Sequence, residues 1–416
     1  MKIKKIFIGM TDIASQIGTY RKGFEANGVE TLTAIYERHS TNVTGSSDFT
    51  IHSPCFDGLA LPIPGQNGSN ALRHAFRYVW KDYIWEKALK ECDTFMFMWS
   101  GFEPDYSHYA RLKAKGKRII TNFVGSDIRW KPAADQEFNH YALQPLEFRD
   151  DYFASTLLVR QLHYLRMAEK YSDVIISLPN QAQLALRPYV NFYYPLHMID
   201  YRENPAQRRE NPVIIHAPTN REFKGTKYVL ETFEKLEREG IAFQPRLLEK
   251  IPHNDILDIY ADSDILIGQL LCPGGGKQAF ELLACGNVVL TRMAFGIYPQ
   301  QAETDSPIVD VGPETLYDRL KLLIRNHRER SELASRGRQY ADTHHDVTKI
   351  CKRLIDVLEN GDENDSLDFV PDFFRDQFIP ESPQVRWMYN KYNRLVKHCP
   401  WYRKFIKPGK RDGLVF

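Results

Sequence analysis

The sequence predicts an α/β protein of two halves, each a parallel sheet covered by helices on both faces. Three observations support this prediction. At 416 residues the chain exceeds the usual size of a single hydrophobic core. Short apolar runs alternate with longer helix-like segments, which is typical of parallel sheets. A charged, proline-bearing segment, DYRENPAQRREN at 200–211, separates one such alternation from a second.

The first half begins with a strand at 3–8 that ends in Gly9, and a helix at 15–27 that stops at Gly28. After a polar stretch at 40–70, the same alternation continues. Further strands are predicted at 29–36, 94–99, 118–124 and 174–178, and further helices at 72–92, 106–115 and 156–170.

The second half repeats the pattern beyond the linker at 201–211. Two parallel sheets of this kind leave a cleft beside the ends of their strands, where we expect a ligand to bind. The predicted strands are 213–216, 243–248, 265–270 and 288–290, and the predicted helices are 226–239, 254–262, 277–285, 315–326 and 328–343.

Composition places the chain among ordinary globular proteins with a net charge of +2. Six scattered cysteines show no metal-ligand spacing and predict reduced thiols. No apolar run approaches the ~20 residues that cross a bilayer. The start, MKIKKIFIGM, is too short in its apolar part for a signal peptide, so we expect a cytoplasmic protein, with a membrane surface as one contact.

Three consecutive glycines, Gly274, Gly275 and Gly276, follow a predicted strand and precede a predicted helix. Glycine lacks a Cβ, so its backbone approaches a ligand closely, and a helix N-terminus presents free N–H groups with partial positive charge. The pattern indicates a phosphate site. A tight turn without any ligand is the alternative, and the glycines alone do not decide between the two.

A second loop, HAPTNREFKGT at 216–226, is expected at the same edge of the second sheet. A strand ends at His216 and a helix begins near Thr226, so the loop carries Arg221 and Lys224. We interpret Lys224 as a positive charge directed at the same phosphates. A solvent-exposed loop lysine is the alternative interpretation.

Glu281 lies in the second turn of the helix that follows the glycines. A carboxylate there can accept hydrogen bonds from a ribose or sugar diol. An isolated helical glutamate is more often solvated. The apolar neighbours Phe280, Leu282 and Leu283 indicate a buried helix and favour the ligand role.

Taken in order, HAPTNREFKGT, PHNDILDIYADSDILIGQL, GGGKQAFELLACGNVVL and GRQYADTHHD resemble the GT-B-fold glycosyltransferases. The closest likeness is to the large family of retaining, nucleotide-sugar-dependent enzymes that build bacterial polysaccharides and lipopolysaccharides. The Gly9 loop, FVGSDIR and ISLPNQ agree with it, so the resemblance covers about residues 1–355. It implies two Rossmann-like domains facing a central cleft, an acceptor-side domain at 1–200 and a nucleotide-sugar-binding domain at 212–360.

The resemblance implies a nucleoside-diphosphate-sugar donor, no cofactor and no bound metal. The lysine of the KG motif, Lys224, would bind the diphosphate with the glycines, and Glu281 would hold the ribose. Asp127 and Lys224 are the expected catalytic residues, and Arg129 faces the cleft from the acceptor side; a turn role for Asp127 is equally open. The expected donor-binding residues are Gly9, His216, Thr219, Asn220, Arg221, Lys224, Gly274, Gly275, Gly276, Lys277 and Glu281.

The chain departs from the family pattern at three positions. Pro273 replaces the first glutamate of an E-x7-E pair, which addresses the donor sugar in the family. Val124 stands where many relatives carry a histidine, and Thr219 stands where an arginine is usual, with Arg221 as the substitute. The leading hypothesis is a glycosyltransferase that acts on a glycan or lipid-linked acceptor. These departures motivate an alternative, a catalytically silent nucleotide-sugar-binding or scaffold subunit.

A dinucleotide-dependent oxidoreductase is a third hypothesis that the double α/β pattern alone suggests. It requires GxGxxG after an early strand. The corresponding segment here, IGMTDIASQIG, does not supply that motif. We therefore set this hypothesis aside.

The C-terminal segment at 361–416 changes character, from the acidic GDENDSLDF to a basic aromatic run at 384–411. That run holds nine Lys or Arg and six Trp, Tyr or Phe, without Asp or Glu. It suits an anionic membrane surface, or an acidic or lipid-linked acceptor. A helix that folds back across the two domains is a further interpretation, and it is compatible with contact with a membrane surface. No nucleic-acid-binding module accompanies the run, so nucleic acid is not an expected partner.

Overall fold

Two parallel β-sheets organise the protein, one of seven strands in the first half and one of five strands in the second. The computed structural model describes residues 2–37, 47–52, 69–140, 155–191, 193–204, 209–295, 305–360 and 382–405. The alternation predicted from the sequence is confirmed as a parallel α/β architecture in both halves.

The strands of the first sheet are ordered β3-β2-β1-β4-β5-β6-β7, and those of the second β12-β11-β10-β8-β9. In chain order the strands are β1 Lys5–Met10, β2 Glu30–Glu37, β3 Phe49–His52, β4 Thr94–Met98, β5 Arg118–Asn122, β6 Val174–Ser177, β7 Val190–Asn191, β8 Val213–His216, β9 Gln244–Leu247, β10 Ile265–Ile267, β11 Val288–Thr291 and β12 Val309–Asp310.

The helices of the first domain lie between its strands. In the second half of the chain, four described helices lie between strands and five follow the last strand, β12. They are α1 Gln16–Ala26, α2 Ser69–Glu91, α3 Ser107–Ala114, α4 Lys131–His140, α5 Ser155–Tyr171, α6 Arg221–Lys224, α7 Thr226–Arg238, α8 His253–Ala261, α9 Gly276–Ala284, α10 Leu316–Arg325, α11 His327–Tyr340, α12 Val347–Asn360, α13 Pro383–Asn393 and α14 Pro400–Phe405.

The central strands are buried on both faces, which explains their continuous apolar sequences. Along β1, Phe7 points into one hydrophobic cluster while Ile6 and Ile8 point into another on the opposite face. Side chains alternate in direction along a strand, so a strand that is apolar at every position is covered by helices on both sides.

Strands β8 and β10 are parallel neighbours in the second sheet, with Ile214 opposite Ile265 and Ile215 opposite Leu266. Because the carboxyl ends of parallel neighbours lie at the same edge, the loop after β8 meets the loop after β10. This pairing brings the lysine-bearing loop and the glycine triplet together.

Helix α12 returns from the second half of the chain to the first domain. Val347, Cys351 and Leu354 join the cluster that contains residues of β1 and α1. The amide of Asn27 donates to the Thr348 carbonyl over 2.9 Å. The last 14 residues of the predicted range 212–360 therefore pack on the first domain.

The described part of the basic aromatic run also docks on the first domain. Met388 and Tyr389 of α13 are buried in its core. The buried Arg166 of α5 donates through Nε to Oδ1 of Asn393 over 2.8 Å. Residues 406–411 of the run lie outside the described residues, as do the acidic segment GDENDSLDF and most of the polar stretch at 40–70.

The five cysteines in the described part of the chain are free thiols, and Cys55 lies outside it. Across the described ranges, no helix combines the length and the apolar character that crossing a bilayer requires.

Gly23 provides a test of the α1–α12 contact. A Cβ at this position would lie 2.6 Å from Val347 Cγ2 and 2.7 Å from Cys351 Sγ. We expect Gly23→Ala to lower the free energy of unfolding by about 1–3 kcal/mol in urea denaturation. The control Ala26→Val adds apolar bulk at an exposed position of the same helix and should change it by less than about 0.5 kcal/mol. Equal stability of the two variants would contradict the close packing.

Candidate functional site

The glycine triplet adopts a backbone that other residues reach only with strain. Gly274, Gly275 and Gly276 have φ of 109°, 69° and 72°. The Gly274 N–H donates to the Arg292 carbonyl over 2.9 Å, and α9 begins at Gly276. The Gly276 N–H donates to the Gly274 carbonyl over 2.7 Å, and the other N–H groups of the first turn of α9 lie at the edge of the triplet without partners inside their own helix.

Lys224, the last residue of α6, lies beneath this triplet. It is 8% exposed, and its Nζ is 4.0 Å from the point where a Cβ on Gly276 would stand. Burial lowers the pKa of Lys224 to about 8. Among the described residues no carboxylate pairs with it. The alternative interpretation of Lys224 as a solvent-exposed loop lysine is therefore wrong. Its ammonium group is a buried cation beside a loop that can hold an anion.

Glu281 is buried, which excludes the solvated alternative. The Tyr201 hydroxyl donates to its Oε1 over 3.2 Å. The Lys277 Nζ lies 3.4 Å from the same oxygen and donates to the carbonyl of Ala14, in the loop after β1, over 2.7 Å. A ribose contact of Glu281 stays a prediction, and its carboxylate already joins α9 to the interdomain segment.

His216 uses both ring nitrogens within the second domain. Nδ1 lies 2.8 Å from the Ile267 carbonyl and Nε2 lies 2.9 Å from the Thr226 hydroxyl. Burial lowers the pKa of His216 to about 4, so the ring is neutral, donates from Nδ1 and accepts at Nε2. The ring holds β8 against β10 and the start of α7, and presents no free nitrogen to a donor.

The other residues of this loop lie at the surface. Thr219, Asn220 and Arg221 are exposed. Arg221 donates through Nε and Nη2 to the two carboxylate oxygens of Glu249, over 2.8 and 2.6 Å. Their donor contacts stay predictions, and the buried cation of the loop is Lys224.

Gly9 lies inside β1, which extends to Met10, so the predicted end of the strand was two residues early. A Cβ on Gly9 would come within 2.7 Å of the Ala34 carbonyl on β2. The sequence therefore needs glycine here for strand packing, whether or not a ligand also lies nearby.

Asp127 holds the turn after β5. Its carboxylate accepts from the N–H of Gly125 over 2.8 Å and from that of Val124 over 3.2 Å. Burial raises the pKa of Asp127 to about 7. The turn role is therefore present in the structure, and a catalytic role stays a prediction.

Two segments of the first domain reach toward the glycine triplet. Arg129 donates through Nε to the Asn180 carbonyl over 3.2 Å. The Asn180 amide donates in turn to the Pro273 carbonyl, in the second domain, over 2.5 Å. Asn180 lies within ISLPNQ, but the sequence analysis did not select it, because no pattern distinguishes it from an ordinary turn asparagine.

Gln269 is a second residue of this site that the sequence analysis did not select. Its side-chain amide donates to the Cys272 carbonyl over 2.8 Å, and its Oε1 lies 3.6 Å from the position of a Cβ on Gly276. Gln269 therefore stabilises the glycine-bearing loop next to Lys224.

No group of three or more His, Cys, Asp or Glu side chains in the described ranges has an arrangement that could hold a metal ion. The positive charge at the cleft is supplied by Lys224, Lys277, Arg129 and the start of α9.

Sequence comparison finds no matching family model and no matching curated protein. Solved structures do match. Anabaena HepE in complex with UDP and glucose has a TM-score of 0.51 at 12% identity, covering 86% of this chain and 99% of that chain. Sucrose-phosphate synthase from Thermosynechococcus elongatus has a TM-score of 0.54 at 11% identity, covering 85% and 98%. An alpha-glucosyltransferase in complex with UDP-glucose and DNA containing an abasic site has a TM-score of 0.52 at 15% identity, covering 85% and 99%.

The protein has the GT-B fold. The fold class predicted from the sequence is thereby confirmed. In this GT-B chain six of the predicted donor-binding residues lie together, Lys224, Gly274, Gly275, Gly276, Lys277 and Glu281. Arg129 approaches them from the first domain through Asn180.

The pH dependence of stability tests the burial of Lys224. Above pH of about 8 the folded protein loses this proton, while the unfolded chain keeps it to about 10.5. The free energy of unfolding of the wild type should therefore rise with pH in this window, because the unfolded state binds more protons. We expect Lys224→Met to be the more stable protein at pH 7 and its advantage to shrink by pH 9.5.

Urea denaturation at the two pH values measures this difference. Lys227→Met is the control, since the Lys227 side chain is 77% exposed. The control should follow the wild type at both pH values. Parallel pH profiles of Lys224→Met and wild type would contradict a buried ammonium group.

Proposed function

We propose that this protein is a glycosyltransferase that moves a sugar from a nucleoside-diphosphate sugar to a glycan or lipid-linked acceptor. The observation that carries the proposal is Lys224: a buried cation without an acidic partner, placed beside a glycine triplet at a helix N-terminus. A diphosphate is the ligand whose charge and size suit that arrangement. Two of the neighbours with the same fold were solved with UDP and glucose or with UDP-glucose, which is consistent with such a donor.

The donor diphosphate would lie between the first turn of α9 and the Lys224 ammonium group. Both are fixed before the ligand arrives, so they stabilise negative charge without rearranging. Arg129 adds a cation from the first domain, 3.2 Å from the Asn180 carbonyl. Glu281 would accept hydrogen bonds from the ribose through its carboxylate.

The reaction breaks the bond between the anomeric carbon and the diphosphate oxygen, and forms a bond from that carbon to an acceptor hydroxyl oxygen. The hydroxyl proton passes to the departing phosphate, so atoms and charge balance. The departing diphosphate gains negative charge as the bond breaks, and Lys224 and the α9 dipole stabilise it. Attack from the face of the leaving group gives retention, as the resemblance to retaining enzymes implies.

Asp127 acts in this proposal as a positioning residue. Its carboxylate is occupied by two backbone N–H groups, and it fixes the turn from which Arg129 extends. The acceptor would enter from the first domain, on the side where Arg129 lies.

The acceptor, we infer, is carried at an anionic membrane surface. Trp387 on α13 is 60% exposed, and the Lys391 ammonium lies 5.2 Å from its ring centroid. An exposed tryptophan beside lysine suits the headgroup layer of a membrane. This would place a cytoplasmic enzyme peripherally at the inner face of the membrane, where polysaccharide and lipopolysaccharide precursors are assembled.

A catalytically silent subunit that only binds nucleotide sugars is the second candidate. Pro273 favours it, because this residue has no polar side chain to address the donor sugar and its carbonyl is bound by Asn180. Transfer assays over UDP-, GDP-, ADP- and CMP-sugars separate the two candidates. Diphosphate release with product favours the enzyme, and binding without turnover favours the silent subunit.

Thermal shifts with UDP, GDP and ADP test the diphosphate site. A ligand at 100 times its Kd should stabilise the wild type by about 2.7 kcal/mol. Lys224→Ala removes a charge-assisted contact worth about 1.5–3 kcal/mol, so we expect its Kd to rise about 10- to 150-fold.

The matched control for this experiment is Lys227→Ala, on the exposed side of the next helix, which should bind like the wild type. Absence of any shift with all three diphosphates would refute the donor site. An unchanged Kd in Lys224→Ala would remove Lys224 from it.

Vesicle sedimentation tests the membrane contact. We expect the wild type to sediment with phosphatidylglycerol vesicles more than with phosphatidylcholine vesicles, and Trp387→Ala to reduce its partition coefficient severalfold. Leu322→Ala is the control, since Leu322 is 50% exposed on α10 of the other domain. Equal partitioning of both variants would contradict a membrane role for α13.

A further inference from the structure

Asn180 is a buried asparagine of the first domain that touches the glycine triplet of the second. It lies in the short helical turn Pro179–Gln181 after β6 and is 2% exposed. Its backbone carbonyl accepts from Arg129 Nε over 3.2 Å and from Gln183 Nε2 over 2.8 Å. These bonds fix the main chain from which the Asn180 side chain extends.

The orientation of the Asn180 amide is decided by its neighbour. Nδ2 lies 2.5 Å from the Pro273 carbonyl, which can only accept a hydrogen bond. The opposite orientation would put two oxygens against each other. Nδ2 therefore points to Pro273, and Oδ1 points away from it.

Oδ1 of Asn180 is enclosed and has no hydrogen-bond partner among the described residues. A buried acceptor without a donor is costly, and native structures keep few of them. Oδ1 lies 3.7 Å, and Nδ2 2.7 Å, from the position of a Cβ on Gly274. Because Gly274 lacks that carbon, the amide can lie against the edge of the triplet.

We propose that Asn180 Oδ1 accepts a hydrogen bond from a hydroxyl group of the donor sugar and thereby helps to select that sugar. This inference rests on the proposed function, since it assigns the sugar end of the same site. An amide oxygen is a neutral acceptor, so it suits a hydroxyl and does not suit a carboxylate. Pro273 offers no polar side chain at this edge, and Asn180 supplies one from the opposite domain.

Nδ2 gives the same side chain a second role. Through the Pro273 carbonyl it joins the first domain to the loop that would hold the diphosphate. A sugar hydroxyl on Oδ1 would complete the hydrogen bonds of a side chain that touches both domains.

Calorimetry with matched ligand pairs tests the proposal: UDP with UDP-glucose, GDP with GDP-mannose, and ADP with ADP-glucose. For the pair that the wild type binds, the ratio of the two Kd values measures what the sugar adds. We expect Asn180→Ala to weaken binding of the nucleotide sugar about tenfold and to leave the diphosphate Kd within about threefold. Gln181→Ala, on the same turn but bonded to the Phe123 carbonyl and Ser177 Oγ, should keep the wild-type ratio.

Deoxy analogues of the bound nucleotide sugar test the same contact in the wild type, independently of how any variant folds. Removing one hydroxyl should weaken binding about tenfold in the wild type and have no effect in Asn180→Ala. An unchanged Kd ratio in Asn180→Ala, or equal binding of all deoxy analogues by the wild type, overturns the role of Asn180. Absence of binding to every diphosphate instead refutes the proposed function itself.

Discussion

The site depends on one buried charge, the ammonium group of Lys224. Burial lowers its pKa, and no carboxylate of the described chain offsets its cost. The pairing of β8 with β10 fixes it beneath the glycine triplet. The glycines of that triplet put no side chain of their own into the space above it. An anion in that space would neutralise the buried ammonium group. The charge that costs the folded protein stability would therefore also bind the ligand.

The two domains meet at this same place. Asn180 bonds to Pro273, and Lys277 bonds to Ala14, so the start of α9 is linked to the first domain by two hydrogen bonds. Helix α12 makes a third, larger contact on α1. A ligand on the triplet would therefore lie against both domains, with Asn180 facing its proposed sugar from the domain opposite to Lys224.

The sequence predicted the features that a single short segment determines: the glycines, the buried helix α9 around Glu281 and a lysine in the loop after β8. The parallel α/β pattern then predicted that the two loops lie at the same edge of the sheet. Nδ1 of His216 is bonded to the carbonyl of Ile267, 51 residues away, so the sequence pattern could not distinguish a ring held by the sheet from one that faces a ligand. No helix was predicted at 347–360, so the docking of α12 on α1 was not predicted either. Even a recognised amphipathic helix shows which face is buried and not against which domain.

Crystallisation with UDP, GDP or ADP tests whether Lys224 and the glycine triplet hold a diphosphate. We expect diphosphate oxygens within hydrogen-bond distance of Lys224 Nζ and of N–H groups in the first turn of α9. The nucleoside should extend toward Glu281, and Asn180 Oδ1 should lie near the terminal phosphate, where the sugar would be attached. A diphosphate bound elsewhere, with no ligand oxygen near Lys224 Nζ, would contradict this binding site.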